Sequence, residues 1–456
     1  MRLSPYVHIS EDVYENADGK KFVPLYDAFN ARVTVVDPAT AQLLRTMGAP
    51  KGSEDDVPIP SDVMEKLRDA ALVCEDDGPL RQKIYRDMAA AAADPRDPIF
   101  VVLPSSYCNM GCAYCGQEHV KGGLSPEAQR RVVARVEASL SQAPAPRRVR
   151  VRWFGGEPLM GFATIRTLSK DLTALADDHG VAYESNIVTN GALLDERKLR
   201  CLVNECRVRE FHITLDGPAE VHDRHRPLKS GKPSFDRLTT FLADMARRPE
   251  YGRVRWILRT NIDVANSEHI DAYFEHMAAR GFNDAPNVLF SLVAVHPWGN
   301  DVSHLELSRR AYAEAELRWL ERLSSLGLRT ILLPSARKSQ VCGAVNQHSE
   351  VIAPDGQIHS CTEKPLVPSY AAQTTTTFLG DIGVGDRRPA DEYDEWHDEV
   401  ARGEVPCSTC WLLPVCGGSC PKAWHEGYPP CPSMKLNMSG RLDIAMRQMG
   451  HQRVLA

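Results

Sequence analysis

Between residues 99 and 295 six apolar, strand-like runs (99–103, 149–154, 184–188, 211–215, 255–262 and 288–295) alternate with stretches of helical periodicity at 126–140, 163–178, 196–203, 235–247 and 267–279. No other feature constrains the fold as much. Strands separated by helices that cross back over a sheet give a parallel sheet with right-handed crossovers. Six units fall short of the eight that close a full barrel, so the expected fold class is α/β, a partial (β/α)6 barrel. Its chemistry belongs at the carboxyl ends of the strands.

Ahead of the barrel, residues 6–9, 21–26 and 32–36 alternate apolar with other residues, as short strands do. Asp37-Pro38 then opens a helix carrying Ala41, Leu43, Leu44 and Met47, and a second helix is expected at 61–71. A loop rich in Gly, Pro and acidic residues, 48–56, separates them. Residues 1–77 are therefore expected to form a small winged-helix-like domain. A charged, alanine-rich stretch up to the Asp94-Pro95 and Asp97-Pro98 breaks makes 78–98 a linker helix. The barrel domain takes 99–306, and a bridging helix (307–326) and strand take 307–335. The remainder, 336–456, is loop-rich and poor in long periodic segments, as where metal rather than a core holds the chain.

The formal net charge of −6 and the lack of a clustered basic face speak against a nucleic-acid partner. Nothing in the sequence reads as a signal peptide or a bilayer-spanning stretch, so the cytoplasm is the expected location, with no membrane partner. In a reducing compartment 13 cysteines point to metal ligation rather than disulfides. Ten fall into two dense sets, and Cys74, Cys201 and Cys206 outside them read as packed thiols.

The first set, Cys108, Cys112 and Cys115, follows the first barrel strand in the run CNMGCAYC. Three thiolates on one loop hold three irons of a cubane cluster and leave the fourth open to chelate a small molecule. A zinc knuckle is the alternative and needs a fourth ligand, for which His119 is the nearby candidate.

The run resembles the radical S-adenosylmethionine superfamily, whose core is a partial TIM barrel. Gly155, Gly156, Glu157 and Pro158 stand at the end of the second strand, where that family's GGEP motif binds the methionyl amino group. Glycines permit close backbone approach, and a carboxylate suits an ammonium. The resemblance extends to Tyr114 before the last cysteine, to Thr189, Asn190 and Gly191 after the third strand, and to Thr214 and Asp216 in HITLDGP. It includes Arg226 in HDRHR (222–226) and Arg259 and Asn261 in LRTNID, and it implies that these residues line the bound cofactor.

The second set runs Cys342, Cys361, Cys407, Cys410, Cys416, Cys420 and Cys431, with FLGDI at 378–382 and CGGSCP at 416–421. It resembles the seven-cysteine SPASM iron-sulfur domain. That implies two auxiliary 4Fe-4S clusters, three with the first, one held by Cys407, Cys410, Cys416 and Cys431 and the other by Cys342, Cys361 and Cys420. The fourth ligand of the second is unassigned, and His348 is a non-cysteine candidate. Two zinc-ribbon sites on a binding scaffold are the other-class alternative.

The resemblance implies reductive cleavage of S-adenosylmethionine to a deoxyadenosyl radical that abstracts a substrate hydrogen. Residues 6–76 look like the peptide-recognition element of ribosomal-peptide maturases. A precursor peptide with a leader sequence is thus the expected partner, cross-linked through a thioether, C–C or C–O bond or otherwise modified. A flavodoxin- or ferredoxin-type donor would supply electrons. The alternative within the chemistry is a small molecule or a protein side chain. Sulfatase-maturing relatives place a catalytic aspartate directly after the cysteine matching Cys361. Thr362 stands there, which argues against formylglycine formation and leaves Glu363 as a candidate base.

Overall fold

The barrel strands alternate buried with partly exposed residues, as in Arg148–Trp153, so one face of each packs under the helices of the same repeats. A computed structural model of the chain describes residues 1–48, 61–142, 144, 146–371 and 377–454. It begins with β1 (Arg2–Leu3), β2 (Val7–Ile9), β3 (Val13–Glu15), β4 (Lys21–Asp27), β5 (Arg32–Val36), α1 (Pro38–Gly48), α2 (Ser61–Asp69), β6 (Val73–Cys74) and α3 (Gly78–Ala93). Beyond Gly48, the loop expected at 48–56 lies outside the described residues.

The repeats follow as β7 (Ile99–Val102), α4 (Pro126–Leu140), β8 (Arg148–Trp153), α5 (Phe162–Asp178), β9 (Ala182–Thr189) and α6 (Glu196–Asn204). They continue as β10 (Val208–Thr214), α7 (Ala219–His225), α8 (Phe235–Arg247), β11 (Arg255–Ile262), α9 (Ile270–Ala279) and β12 (Val288–Ala294), and α10 (Arg309–Ser325) succeeds them. Local chemistry explains the helix starts. Ser125 Oγ accepts from the Ala128 N–H with Pro126 at the first helical position, and the Asp195 carboxylate accepts from the Lys198 N–H.

Strands β7 to β12 are parallel neighbours in chain order, as six βα units require. The sheet nevertheless has eight strands. β13 (Glu350–Ile352) pairs in parallel with β7 and in antiparallel fashion with β14 (Ile358–His359), covering the edge that β7 would expose. Runs of three and two residues carry too little periodicity to be read from sequence. Inside the main core, Phe211 and Trp256 stack at 4.9 Å and pack with Trp153, Leu168 and Leu242. Burial of each such side chain contributes roughly 1.5–3 kcal/mol.

At the N-terminal end β4 runs between β2 and β5, with β3 on its first residues and the C-terminal β15 (Gln452–Val454) alongside β3. The contact is sealed by the Tyr14 hydroxyl donating to Asp443 at 2.8 Å and the Tyr26 hydroxyl donating to the Pro334 carbonyl at 2.8 Å.

Three expectations need correction. The strand anticipated within 307–335 reduces to one bridge between Thr330 and Phe290, because the chain turns at Gly327 and meets Pro334 soon after. α3 is no free linker: Ile84 and Met88 are buried against Trp396, Val400 and Leu413 of the cysteine domain. That domain also contains a helical stretch, Met434–Gln448, kinked at Asn437 and covered on several faces, so its apolar residues form no single stripe. The helix is fastened to α10 by a buried pair, Arg441 Nη2 to Glu316 Oε2 at 2.5 Å, which Asn437 Nδ2 joins at 2.9 Å.

Candidate active site

The loop after β7 carries Cys108, Cys112 and Cys115, and neighbouring backbone holds it in place. The Gly111 N–H donates to the Pro227 carbonyl at 3.0 Å and the Lys229 N–H to the Asn109 carbonyl at 2.8 Å, so the chain after α7 forms a rail beside the loop. Gly156 presses against the same loop. A Cβ there would meet backbone atoms of Ser106 and Tyr107 at 2.9 Å, while Gly155, at φ 122°, adopts a conformation open to glycine. Close approach is thus what the paired glycines provide.

Glu157 is anchored by its neighbours. Its carboxylate is fully buried and accepts from the Thr189 hydroxyl at 2.6 Å, the Asn190 N–H at 2.8 Å and the Leu159 N–H at 2.9 Å. It locks the end of β9 to the end of β8. Asn190 in turn points back at the cysteine loop, with Nδ2 2.7 Å from Asn109 Oδ1 and 3.7 Å from Cys108 Sγ.

Opposite this lies a buried polar cluster around Tyr114. Its hydroxyl donates to Asp216 Oδ2 at 2.7 Å and accepts from Asn261 Nδ2 at 2.8 Å and from the Arg226 guanidinium. Arg259 Nε donates to Asn261 Oδ1 at 2.7 Å. Thr214 is buried at the end of β10, level with Arg259. Behind Asp216, His225 bridges two buried carboxylates, 3.1 Å from Asp216 and 2.7 Å from Asp263. Burial works against a charged imidazole, but hydrogen bonds to both carboxylates outweigh it and raise His225 to about 9. For Asp216 burial opposes ionisation, and Arg226 and His225 overcome it and keep the carboxyl below its usual range. His222, buried beside Arg226, is pushed down to about 4 and accepts from the Asp216 N–H through Nδ1. Asp263 was not among the expected site residues, although the LRTNID run contained it, and His225 lay inside the HDRHR run without being singled out.

The second set divides in space. Cys407, Cys410, Cys416 and Cys431 line one small cavity together with Trp424 and Lys435. Cys342 and Cys361 line another, and each lies within electrostatic reach of Cys420. His348 lies among Arg387, Asp94 and Arg388. Glu363 stays close by, its N–H 3.4 Å from Cys361 Sγ, while its carboxylate lies 3.2 Å from Lys422 Nζ and 3.3 Å from His296 Nε2.

His119 Nε2 stands 4.0 Å from Cys115 Sγ. Among the described residues no group of three or more His, Cys, Asp or Glu is placed to hold a single metal ion. The first site's donor chemistry fits a three-thiolate cubane with an open iron and a zwitterionic ligand. Gly155 and Gly156 form a cradle that any Cβ would fill, and Arg226 keeps a buried Nε without a partner in the structure.

Residues 102–248 match the family described as the Radical SAM superfamily. The serine-type anaerobic sulfatase-maturating enzyme of Klebsiella aerogenes is 27% identical over 154 residues, 32% of this chain and 36% of that protein. Its counterpart in Bacteroides thetaiotaomicron is 28% identical over 154 residues, 30% of this chain and 34% of that protein. This chain therefore spans about a third of the length of the curated relatives it matches. In three dimensions it is similar to native anSMEcpe with bound AdoMet, at a TM-score of 0.55 and 16% identity over 77% of this chain and 98% of that one. At that identity the likeness speaks for the fold. No described helix is long and apolar enough to cross a membrane.

Proposed function

We propose that this chain, which carries a radical SAM domain over residues 102–248, is a radical S-adenosylmethionine enzyme that modifies a ribosomally made precursor peptide. The observation that carries this reading is one cavity of about 790 Å³, walled by His296 at the end of the barrel and by Glu363, Cys420 and Cys431 of the second cysteine set. It has the size of a small-ligand site and takes a peptide side chain or two. Sulfatase-maturating relatives, which act on proteins by name, point the same way.

Cys108, Cys112 and Cys115 would hold the cluster that binds S-adenosylmethionine, and the seven later cysteines two auxiliary clusters in the four-and-three division described above. Bound cofactor and cluster together supply the radical that removes a substrate hydrogen. The chain's own residues position and shield. Gly155 and Gly156 allow the ligand to approach the backbone. Arg226 presents its unpartnered Nε–H to its polar groups from a place that the Tyr114 hydroxyl fixes, and Asn261 and Arg259 extend that face. Glu157 keeps the ends of β8 and β9 in register beneath it.

The leader would dock on the N-terminal sheet. β15 occupies the β3 side, whereas β5 pairs only with β4 among the described strands, leaving an edge for an added strand. A flavodoxin- or ferredoxin-type protein would deliver electrons.

The test is anaerobic. Reconstituted protein should bind about twelve irons per chain, cleave S-adenosylmethionine when reduced, and remove hydrogen atoms from the peptide encoded beside it, read as a mass shift on co-expression. C112A should end cofactor cleavage. Zinc in place of iron would refute the reading.

A further inference from the structure

The inward face of β8 is cationic. Val149, Val151 and Trp153 pack in the core under the helices, so Arg148, Arg150 and Arg152 alternate onto the inner side of the barrel. Arg148, at the start of the strand, is met by Asp97 at 2.8 Å and Glu184 at 3.1 Å. Arg150 donates to the Asp97 carbonyl at 2.9 Å, and its Nε is buried without a partner. Arg152, nearest the carboxyl end, donates through Nε to Asn186 Oδ1 at 2.9 Å. Among the described residues no carboxylate pairs with it and neither Nη finds an acceptor.

Arg152 also lines the small cavity that Cys342 and Cys361 share. Among the described residues, the other charged side chain on that wall is Glu350, which Arg135 already holds in a buried pair. Neighbouring charges are committed too: Glu210 to Arg255 and to His212 at 2.6 Å, and Glu363 to Lys422 at 3.2 Å. The wall thus presents two thiols, apolar groups such as Val101 and Val351, and one uncompensated guanidinium. Such a set fits an anionic group. Iron held by thiolates and sulfide is anionic overall, and a cation left unpaired out of water is costly.

Resting on the reading that Cys342, Cys361 and Cys420 hold an auxiliary cluster, we infer that Arg152 is the fixed counter-cation of that cluster and raises its reduction potential. One added electron makes the thiolate-held group one unit more negative, with no bond formed or broken and no proton moved. The flavodoxin- or ferredoxin-type donor, or a radical formed on the peptide, supplies that electron. A fixed positive charge in a poorly solvated cavity favours the more negative state, and N–H groups turned toward sulfur act in the same direction. Cys420 also lines the large cavity, so the group that Arg152 favours in its reduced state is the one beside the peptide. By contrast, the cation near the other set is Lys435, on an exposed contact 4.0 Å from Cys431 Sγ, where solvent screens it.

The experiment uses the full-length, iron-loaded chain with Cys108, Cys112 and Cys115 replaced by alanine, so that only the auxiliary groups report. R152Q, R152M and R152K are compared in that background. Each protein is titrated potentiometrically with dithionite under electron paramagnetic resonance, and the midpoint that C342A abolishes is followed. In R152Q and R152M it should fall by about 59 mV or more, a tenfold change in a one-electron equilibrium, with iron content and the other midpoint unchanged. R152K, which keeps the charge, should hold most of the original value. An unmoved midpoint in R152Q, or a fall in R152K as large as in R152Q, would overturn the assignment. If the chain binds no iron that C342A removes, the auxiliary-cluster reading itself fails instead.

Discussion

Asn190 Nδ2 donates to Asn109 Oδ1 across 2.7 Å, joining the end of β9 to the loop between the first two cysteines. The same amide lies 3.7 Å from Cys108 Sγ, so one side chain sets both the loop's position and the polarity at a thiol. Outer-shell hydrogen bonds of this kind orient ligands and are worth about 10- to 100-fold in affinity. Asn190→Ala is therefore expected to weaken S-adenosylmethionine binding by about tenfold and to speed iron loss. Equilibrium binding and iron analysis on the purified variant check this, and unchanged values in both would remove Asn190 from the site.

A second bond crosses from the barrel to the cysteine domain. Arg135 on α4 makes a two-pronged pair with Glu350 on β13, one prong at 2.9 Å, and also donates to the Gly383 and Asp386 carbonyls at 3.0 and 2.9 Å. Both side chains are buried. Glu350→Ala leaves a guanidinium unpaired out of water and is expected to cost roughly 3–5 kcal/mol, whereas the apolar double variant R135M/E350L should recover much of that loss. Urea titration of the three proteins decides it; an E350A midpoint equal to wild type would contradict the pair's weight.

His225 makes stability depend on pH. Its folded value of about 9 lies above the ordinary 6.5, so its contribution is fully present below about 6.5 and is lost as pH rises through about 9. His225→Gln should therefore be more destabilising at pH 6 than at pH 10. Denaturation midpoints of both proteins across that range give the test, and a constant difference would show that His225 does not titrate with folding.

The free edge of β5 makes a sharper prediction. Pro24 lies opposite Val35, and the Pro24 carbonyl accepts from the Ser10 N–H on the β2 side. Groups of antiparallel strands alternate in direction, so the Val35 N–H points away from β4. Val35→Pro removes that donor and leaves the ladder to β4 intact. Leader-peptide affinity, measured by fluorescence anisotropy, should drop at least tenfold, with cofactor cleavage in the absence of peptide retained. Undiminished affinity would move the docking site elsewhere.

Much of the site was legible because its signals are local. Three cysteines within eight residues, paired glycines at a strand end and polar residues after each strand all follow from short-range chemistry. How Glu157 is held was not legible, for an equally physical reason. A carboxylate in a loop has the same sequence signature whether it meets a ligand or the N–H groups of a neighbouring strand end. Nor could the sequence show that His348, which reads more readily as a plain loop histidine, lies among Arg387, Asp94 and Arg388. His296 was passed over because a single histidine after a strand carries no pattern.

What the sequence by itself determined is the repeating strand and helix order, the parallel barrel that follows from it and the two sets of thiols, since periodicity and spacing are properties of neighbouring residues. Only the tertiary structure decided which residues meet across long separations. It brought His296 to Glu363, Arg135 to Glu350, β13 to the edge of β7 and β15 to β3. Such pairings arise from the burial of whole faces and the pairing of backbone edges, which depend on the summed packing of the chain and leave no mark on the residues between.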